Sequence, residues 1–557
     1  MRILSTGHSG RVAVIDRCAP GERHFFKPMR YQTLFALFAF LVLLAGLQVA
    51  NCSPADEKPK IRQPAVAGQF YPAEPGELGK MLDGFLAQAA VPSISDRIVA
   101  LAAPHAGYIY SGGVAAYSYA LLKGRKIERV VVIAPSHFEA FPFNSVYDGD
   151  AYATPFGNVS VDKDFAAKLV KLSPLIQLSS RGHTPAGQQG EHALEVQLPF
   201  LQRVLGKFKL VPIIMGDQNY QTERALGVAL AKMIKGTDTL IVASSDLSHY
   251  HTYDEATRID HKTLKAIEQY DYVSLSQNFE SRVWEACGGG PIVAAMIAAE
   301  RLGANQARVL KYANTGDVTG DHSRVVGYGA VAFIQSGRGH SDGERFSLNE
   351  EEKESLIRLA RESVETAVKE RKLYEPPAAQ SESLSQERGV FVTLNEKGEL
   401  RGCIGLTTAR KPLYLAVRDA ATMAALEDPR FPHVIPMELP QLEYEISVLT
   451  PFRRVLDTNE IRVGRDGLLM IQGSSEGVFL PQVPVEQHWD RKTYLEELGL
   501  KAGLTRKAWQ DETTDIFAFS ALVFGEHRPP ESLTPEDPQP PKPRVPPGSP
   551  GPGSPRP

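Results

Sequence analysis

A chain of 557 residues, 43% of them apolar and 23% charged, exceeds what one hydrophobic core usually serves, so two domains with flanking segments are expected. A formal net charge of −4 excludes the basic excess of a nucleic-acid binder, and no acidic block is present. The four cysteines, Cys18, Cys52, Cys287 and Cys403, are far apart without a CxxC pair, which argues against a disulfide framework or a structural zinc knuckle.

At the N-terminus, Lys27 and Arg30 precede an apolar run over residues 34–50, and Asn51, Cys52 and a polar Ser-Pro-Ala-Asp follow. A basic region, an apolar region and an abrupt polar exit describe an export signal, or a single-span membrane anchor if uncleaved. The alternative is translated upstream sequence on a cytoplasmic protein. Residues 1–28 differ from the front of a signal peptide, so Met29 is a candidate start. Val49-Ala50-Asn51-Cys52 resembles a bacterial lipobox, with Asn51 departing from its small residue; the resemblance implies a lipoprotein modified at Cys52.

From residue 59 to 336 short apolar runs alternate with helix-like stretches, the pattern of an α/β domain with a mostly parallel sheet covered by helices. Helices are expected over 76–90, 112–122, 163–172, 193–205, 222–235, 254–270 and 291–302. Strands are expected over 98–104, 130–136, 210–215, 240–245 and 328–334. Residues 337–347 read as a Gly/Ser/polar linker. Beyond it, 348–526 reads as a smaller α+β domain: a charged helix over 348–372, a hairpin over 390–395 and 399–404, a helix over 412–426, a strand over 442–449 and a strand-rich 514–524. The Pro-rich tail, 527–557, has too few apolar residues to offset its ordering entropy and is expected to be disordered.

Three of the strand-like runs deliver a histidine: His105, His137 and His249. In open α/β sheets chemistry gathers at the carboxyl ends of the parallel strands, so the three imidazoles should converge. Pro104 and Pro135 stop the ladder just before the ring leaves the chain. Gly107, Gly112 and Gly113 would let the next turn approach a bound group. Asp246, three residues before His249, either orients a histidine or caps the following helix. Glu191-His192 opens a predicted helix, and His192 either lines the crevice or sits on the surface. Cys287, in Cys287-Gly288-Gly289-Gly290-Pro291 before a helix, is either a thiolate favoured by the helix N-terminus or a buried inert residue.

The segments 65–71, Pro104-His105-Ala106-Gly107-Tyr108, Pro135-Ser136-His137, Glu191-His192, Ser244-Ser245-Asp246-Leu247-Ser248-His249 and Cys287-Gly288 together resemble the Memo family, in that family's order, over about residues 60–336. The resemblance implies the fold of class III extradiol ring-cleaving dioxygenases, which use non-haem iron(II). It implies metal ligation by His105, His137 and Cys287, with Asp246, His249 and His192 lining the pocket. A cysteine then stands where the dioxygenases have a carboxylate, so copper joins iron(II) as a candidate metal. His249 is the candidate general acid/base, with Asp246 and His192 beside it.

In the second domain, Leu400-Arg401-Gly402-Cys403-Ile404-Gly405, Glu427-Asp428-Pro429-Arg430-Phe431, 442–449 and 473–481 resemble the AMMECR domain over about residues 348–526. Cys403 reads as a small packed residue or as a thiolate activated by Arg401. The paired resemblance implies a system with a separate radical S-adenosylmethionine enzyme, whose CxxxCxxC cluster site this chain lacks. The leading expectation is a redox-metal protein. The alternatives are a peptide- or partner-binding module and an iron- or copper-handling protein.

Overall fold

The computed structural model describes residues 58–183, 190–336, 346–379 and 381–526. The apolar N-terminal run with Cys52, most of the expected linker and the Pro-rich tail lie outside the described residues. The described residues from Pro59 to Glu526 belong to one compact unit. No helix among the described residues is long and apolar enough to cross a membrane.

The first domain is built on a nine-stranded sheet. Its centre is four strands, β1 (Arg97–Ala103), β2 (Arg129–Pro135), β3 (Lys209–Met215) and β4 (Thr239–Ser244), in the spatial order β1-β4-β2-β3 and all parallel. Nearly every residue in them is buried, because helices cover both faces. Alternate side chains feed two cores. Leu101, Val130 and Val132 join the helices Pro75–Gln88, α1 (Tyr108–Ala120) and α2 (Gln197–Leu205). Val99, Val131 and Ile133 join α3 (Tyr220–Ile234), α4 (Tyr253–Glu268) and α5 (Gly289–Arg301). Each such aliphatic side chain contributes about 1.5–3 kcal/mol by leaving water.

The flanks of the sheet are mixed. β5 (Val325–Gln335) runs antiparallel to β1 and pairs in turn with Gln306–Asn314 and with His249–His251. Asn144–Val146 lies antiparallel to β3. β5 was expected over 328–334, whereas Gln306–Asn314, His249–His251 and Asn144–Val146 are short or polar and escaped the sequence reading. Two helices start elsewhere than expected. α1 begins at Tyr108 rather than 112, and α2 at Gln197 rather than 193. Pro199 explains the second shift: a proline fits the first helical turn, where its missing N–H is not needed, but not the interior. Gly112 also has a different task. A Cβ there would come within 2.6 Å of the Phe85 ring, so it packs two helices together rather than admitting a ligand.

The second domain holds two four-stranded antiparallel sheets. One runs Glu399–Leu406, Val390–Glu396, Leu442–Leu449, Ala521–Gly525; the other runs Arg453–Arg454, Asp515–Phe519, Gly467–Gln472, Ser475–Phe479. Helices Glu350–Glu370 and Leu413–Leu426 pack on the first, Arg491–Lys501 on the second. This is an α+β domain. Leu449, Phe452, Phe517 and Phe519 belong to the same apolar cluster as α3 and α5, so the two domains share one continuous core layer.

Candidate metal centre

Because β4 lies between β1 and β2, the turns that follow all three open onto one crevice. His105 leaves the chain just after β1, His137 just after β2, and Asp246 just after β4. The ligand atoms of His105, His137 and His192 lie within 4.8 Å of one another, and so do those of His105, Asp246 and Cys287. Two trios therefore share His105. The expected ligand set draws His137 from one and Cys287 from the other.

His105 is 2% exposed and its ring is fixed at both nitrogens. Nδ1 lies 2.9 Å from Ser244 Oγ. That hydroxyl gives its single proton to the Ala193 carbonyl (2.6 Å) and accepts from Gln197 Nε2 (2.7 Å). His105 Nδ1 must then be the donor, which leaves the Nε2 lone pair facing Cys287 Sγ at 3.0 Å. Asp246 Oδ2 stands 4.0 Å from the same nitrogen. Its Oδ1 accepts the backbone N–H of His105 (2.7 Å) rather than a ring N–H, so Asp246 pins the β1 turn and points its other oxygen into the crevice.

His137 is held by Glu191, which takes both its backbone N–H (2.6 Å) and its Nδ1 (3.1 Å). That leaves Nε2 as the nitrogen free for other partners. The His192 ring stacks on His137 at 5.1 Å between centroids and packs against Phe70 at 4.6 Å. Glu191 and His192 precede α2 as irregular chain, so Glu191 serves His137 and not a helix start. His249 sits at the mouth; its Nδ1 lies 2.8 Å from the Leu247 carbonyl, which can only accept, so Nε2 is its basic nitrogen. Its neighbour His251 pairs with Glu285 at 2.9 Å, a contact the sequence did not suggest.

Burial pushes the His105 ring well below its ordinary value, and a charge on His137 adds to this. Burial, then His105, brings His192 down to about 4. For Glu191 burial works the other way, but the hydrogen bond and charge of His137 take the carboxyl down to about 2. The Cys287 thiol is pushed well up by burial and then by Asp246. Of the two readings of Cys287, burial favours the neutral thiol over the start of α5, and a bound cation would reverse that balance. Gly288 is what allows the cysteine so close. A Cβ there would lie 2.1 Å from the Ser244 carbonyl oxygen.

The donor set suits a borderline-soft ion. Imidazole nitrogens and a thiolate select iron, copper or zinc over magnesium or calcium, and a 3.0 Å approach of Nε2 to Sγ is compatible with two ligands of one ion. Ser244 and Gln197 were not recognised as anchors in the sequence. Their signal was a polar residue set in an otherwise apolar run.

Cys403 has no comparable site. Burial raises its thiol, its backbone N–H goes to Asp428 (2.8 Å), and Arg401 is taken by Glu438 (2.8 Å). Activation by Arg401 is thereby disfavoured, although Arg430 lies beside the residue and donates to its carbonyl at 3.1 Å. Cys287 and Cys403 are both free thiols.

The family model for Memo-like proteins matches residues 62–332, and that for AMMECR1 matches residues 357–524. A MEMO1 family protein of Methanopyrus kandleri is 38% identical over 283 residues, covering 49% of this chain and 98% of its own. One of Nitrosopumilus maritimus is 38% identical over 280 residues, covering 49% of this chain and 100% of its own. A solved structure of an uncharacterized protein from Pyrococcus horikoshii is 43% identical, covers 32% of this chain and 92% of its own, and superposes with a TM-score of 0.31. With His105, His137, Cys287 and their anchors all inside the first matched region, the chain belongs to the MEMO1 family, and it carries an AMMECR1 domain behind that region.

Proposed function

We propose that the first domain holds a redox-active metal, iron(II) first and copper second, and works as an oxidoreductase of the non-haem type. The observation that carries this reading is the fixed tautomer of His105, which presents Nε2 to Cys287 Sγ in a buried crevice. His105 would be the shared ligand, with His137 and Cys287 completing the set and the Asp246 carboxylate within reach. A bound iron or copper ion would supply a Lewis-acidic, one-electron redox centre. Around it, Glu191 holds His137 in place, Phe70 and His192 close one wall, and His249 Nε2 takes or returns a proton at the mouth.

Metal analysis of anaerobically purified full-length protein tests this. Near-stoichiometric iron or copper is expected, falling by at least about tenfold in His105→Ala. Protein that purifies folded and metal-free, and takes up neither ion, would overturn the reading. Oxygen consumption with catechols then separates ring cleavage from other redox chemistry.

A second reading is supported by Ile109, Phe138 and Tyr250, which are exposed and close in sequence to His105, His137 and His249. Such apolar residues suit a peptide- or partner-binding mouth. If Phe138→Ser abolishes partner capture while His105→Ala does not, recognition rather than metal chemistry is the function.

Two further proposals rest on sequence alone. The chain works beside a separate radical S-adenosylmethionine enzyme, testable by co-purification. It is also exported or membrane-tethered through its N-terminal segment, as a lipoprotein if radiolabelled lipid attaches to wild type but not to Cys52→Ser.

A further inference from the structure

A second candidate site lies far from the histidine crevice in its chemistry and surroundings. Where the two domains meet, a cavity of about 220 Å³ opens between α4 and the loops that precede and follow the first sheet of the second domain. That volume suits a single-ring organic molecule rather than a nucleotide.

Its walls are unlike in character. One is apolar: Trp284 from the first domain faces Leu449, Pro451 and Phe452 from the second. The other is charged. Lys262, Lys265 and Arg388 line it against two carboxylates, Glu387 and Asp271, a balance of one positive charge. Each carboxylate has a partner, although Glu387 Oε2 is buried without a hydrogen bond among the described residues. Glu387 pairs with Lys262, and Asp271 caps the helix Tyr272–Glu280 through the Ser274 N–H at 3.1 Å.

Arg388 is left over. Its guanidinium stacks over Phe346 at 4.3 Å and donates to Gln386 Oε1 at 3.1 Å, and it has no carboxylate partner among the described residues. Burial pulls it below its ordinary value with no opposing charge to compensate. A half-buried guanidinium without an anion is a costly arrangement that a bound anion would relieve. A second, independent vacancy points the same way. Trp284 is 7% exposed, and its indole N–H has no acceptor among the described residues. An indole N–H in that position is normally satisfied.

We propose that this cavity binds a small, singly charged aromatic carboxylate. The carboxylate pairs with Arg388, the fork geometry that guanidinium offers best, while Lys265 on the rim adds long-range attraction. The ring lies between Trp284 and Phe452. A monoanion matches the single surplus charge; a phosphate dianion would overrun it. Because the walls come from both domains, the ligand bridges them and stabilises the docked state by mass action.

Calorimetric titration of the full chain with benzoate tests the proposal, with benzamide as the neutral isostere and inorganic phosphate as the dianion. Saturable benzoate binding at millimolar affinity or better is expected, with benzamide and phosphate each about tenfold weaker or more. Arg388→Gln should cut benzoate affinity about tenfold and remove the preference over benzamide. Lys265→Gln, a rim substitution that does not threaten folding, should weaken benzoate several-fold at low salt and less at high salt. His105→Ala should leave benzoate binding unchanged, which separates this site from the metal centre. Absence of saturable benzoate binding, equal binding of benzoate and benzamide, a preference for phosphate, or loss of binding in His105→Ala would each overturn it.

Discussion

The hydroxyl of Ser244 has one proton and three neighbours, and that arithmetic sets the tautomer of His105. Removing it should unfix the ring without unfolding the protein, since the side chain is small and its cavity smaller still. Ser244→Ala is expected to lower iron(II) affinity about 10–100-fold, the usual effect of losing a ligand's outer partner. Competition with a chelator of known affinity under anaerobic conditions measures this, and unchanged affinity would remove Ser244 from the site. His105 and His137 were readable in the sequence because each follows an apolar run with the length and β-branching of a buried strand. His249, expected at a third strand end, instead opens the edge strand His249–His251, and Asp246 takes its place after β4. Ser244 was not, because its role depends on Ala193 and Gln197, which reach it only once α2 packs across the strand ends. The two readings of Cys287 stayed open for a related reason: the sequence shows the helix that follows it but not the burial that opposes that helix's effect.

At the scale of an element, the segment before the first helix acts as a clasp over the crevice. Glu195, fully buried, accepts from Arg62, from the Tyr71 hydroxyl and from the backbone N–H groups of Ala65 (2.7 Å) and Val66 (3.1 Å). Those bonds hold the stretch that presents Phe70 to His192 and ties its carbonyl to the start of α1 at 2.8 Å. Glu195→Ala leaves the Arg62 guanidinium buried and unpaired, so a loss of about 3–5 kcal/mol is expected in denaturant unfolding. A loss under about 1 kcal/mol would show that the clasp adds little. The opening motif of this domain could be recognised as a pattern, yet its partner is a lone acid in an apolar stretch over a hundred residues away. Distance along the chain hid the pairing. Element type and order were otherwise recoverable wherever the hydrophobic period was strong, as in the hairpin Val390–Glu396 and Glu399–Leu406 and the strand Leu442–Leu449.

For the whole molecule the decisive contact is one carboxylate between domains. Asp515, 1% exposed, meets Arg224 (2.6 Å) and Arg301 (2.8 Å) from the first domain, Arg454 (3.3 Å) from the second, and the Tyr220 hydroxyl (3.1 Å). Burial raises its value, but Arg301, Arg224 and Arg454 together hold it below the ordinary carboxylate range. A folded value below the unfolded one means stability that is full above about pH 4 and lost as pH falls through the folded value. Docking should therefore weaken in acid. Asp515→Ala, which takes the carboxylate from Arg224 and Arg454 and leaves Arg301 only Glu300 at 3.9 Å, should cost about 3–5 kcal/mol at neutral pH and flatten this acid dependence. Scanning calorimetry is expected to resolve the single transition of the wild type into two in the variant. A single transition of unchanged midpoint would show that the apolar layer, with Tyr272 against Phe517 at 5.7 Å, holds the domains without it.

By itself the sequence determined the α/β character of the first domain, the α+β character of the second, and the imidazoles at the ends of β1 and β2. These follow from hydrophobic period and from turn residues, which act locally. Tertiary structure alone decided the rest. The order β1-β4-β2 brings the three turns together, Ser244 selects the His105 nitrogen, and burial sets the state of Cys287. It also placed Asp515 among three arginines and left Arg388 without a carboxylate among the described residues. Each of these depends on desolvation or on pairing between distant residues, and neither has a local period that a chain can display before it folds.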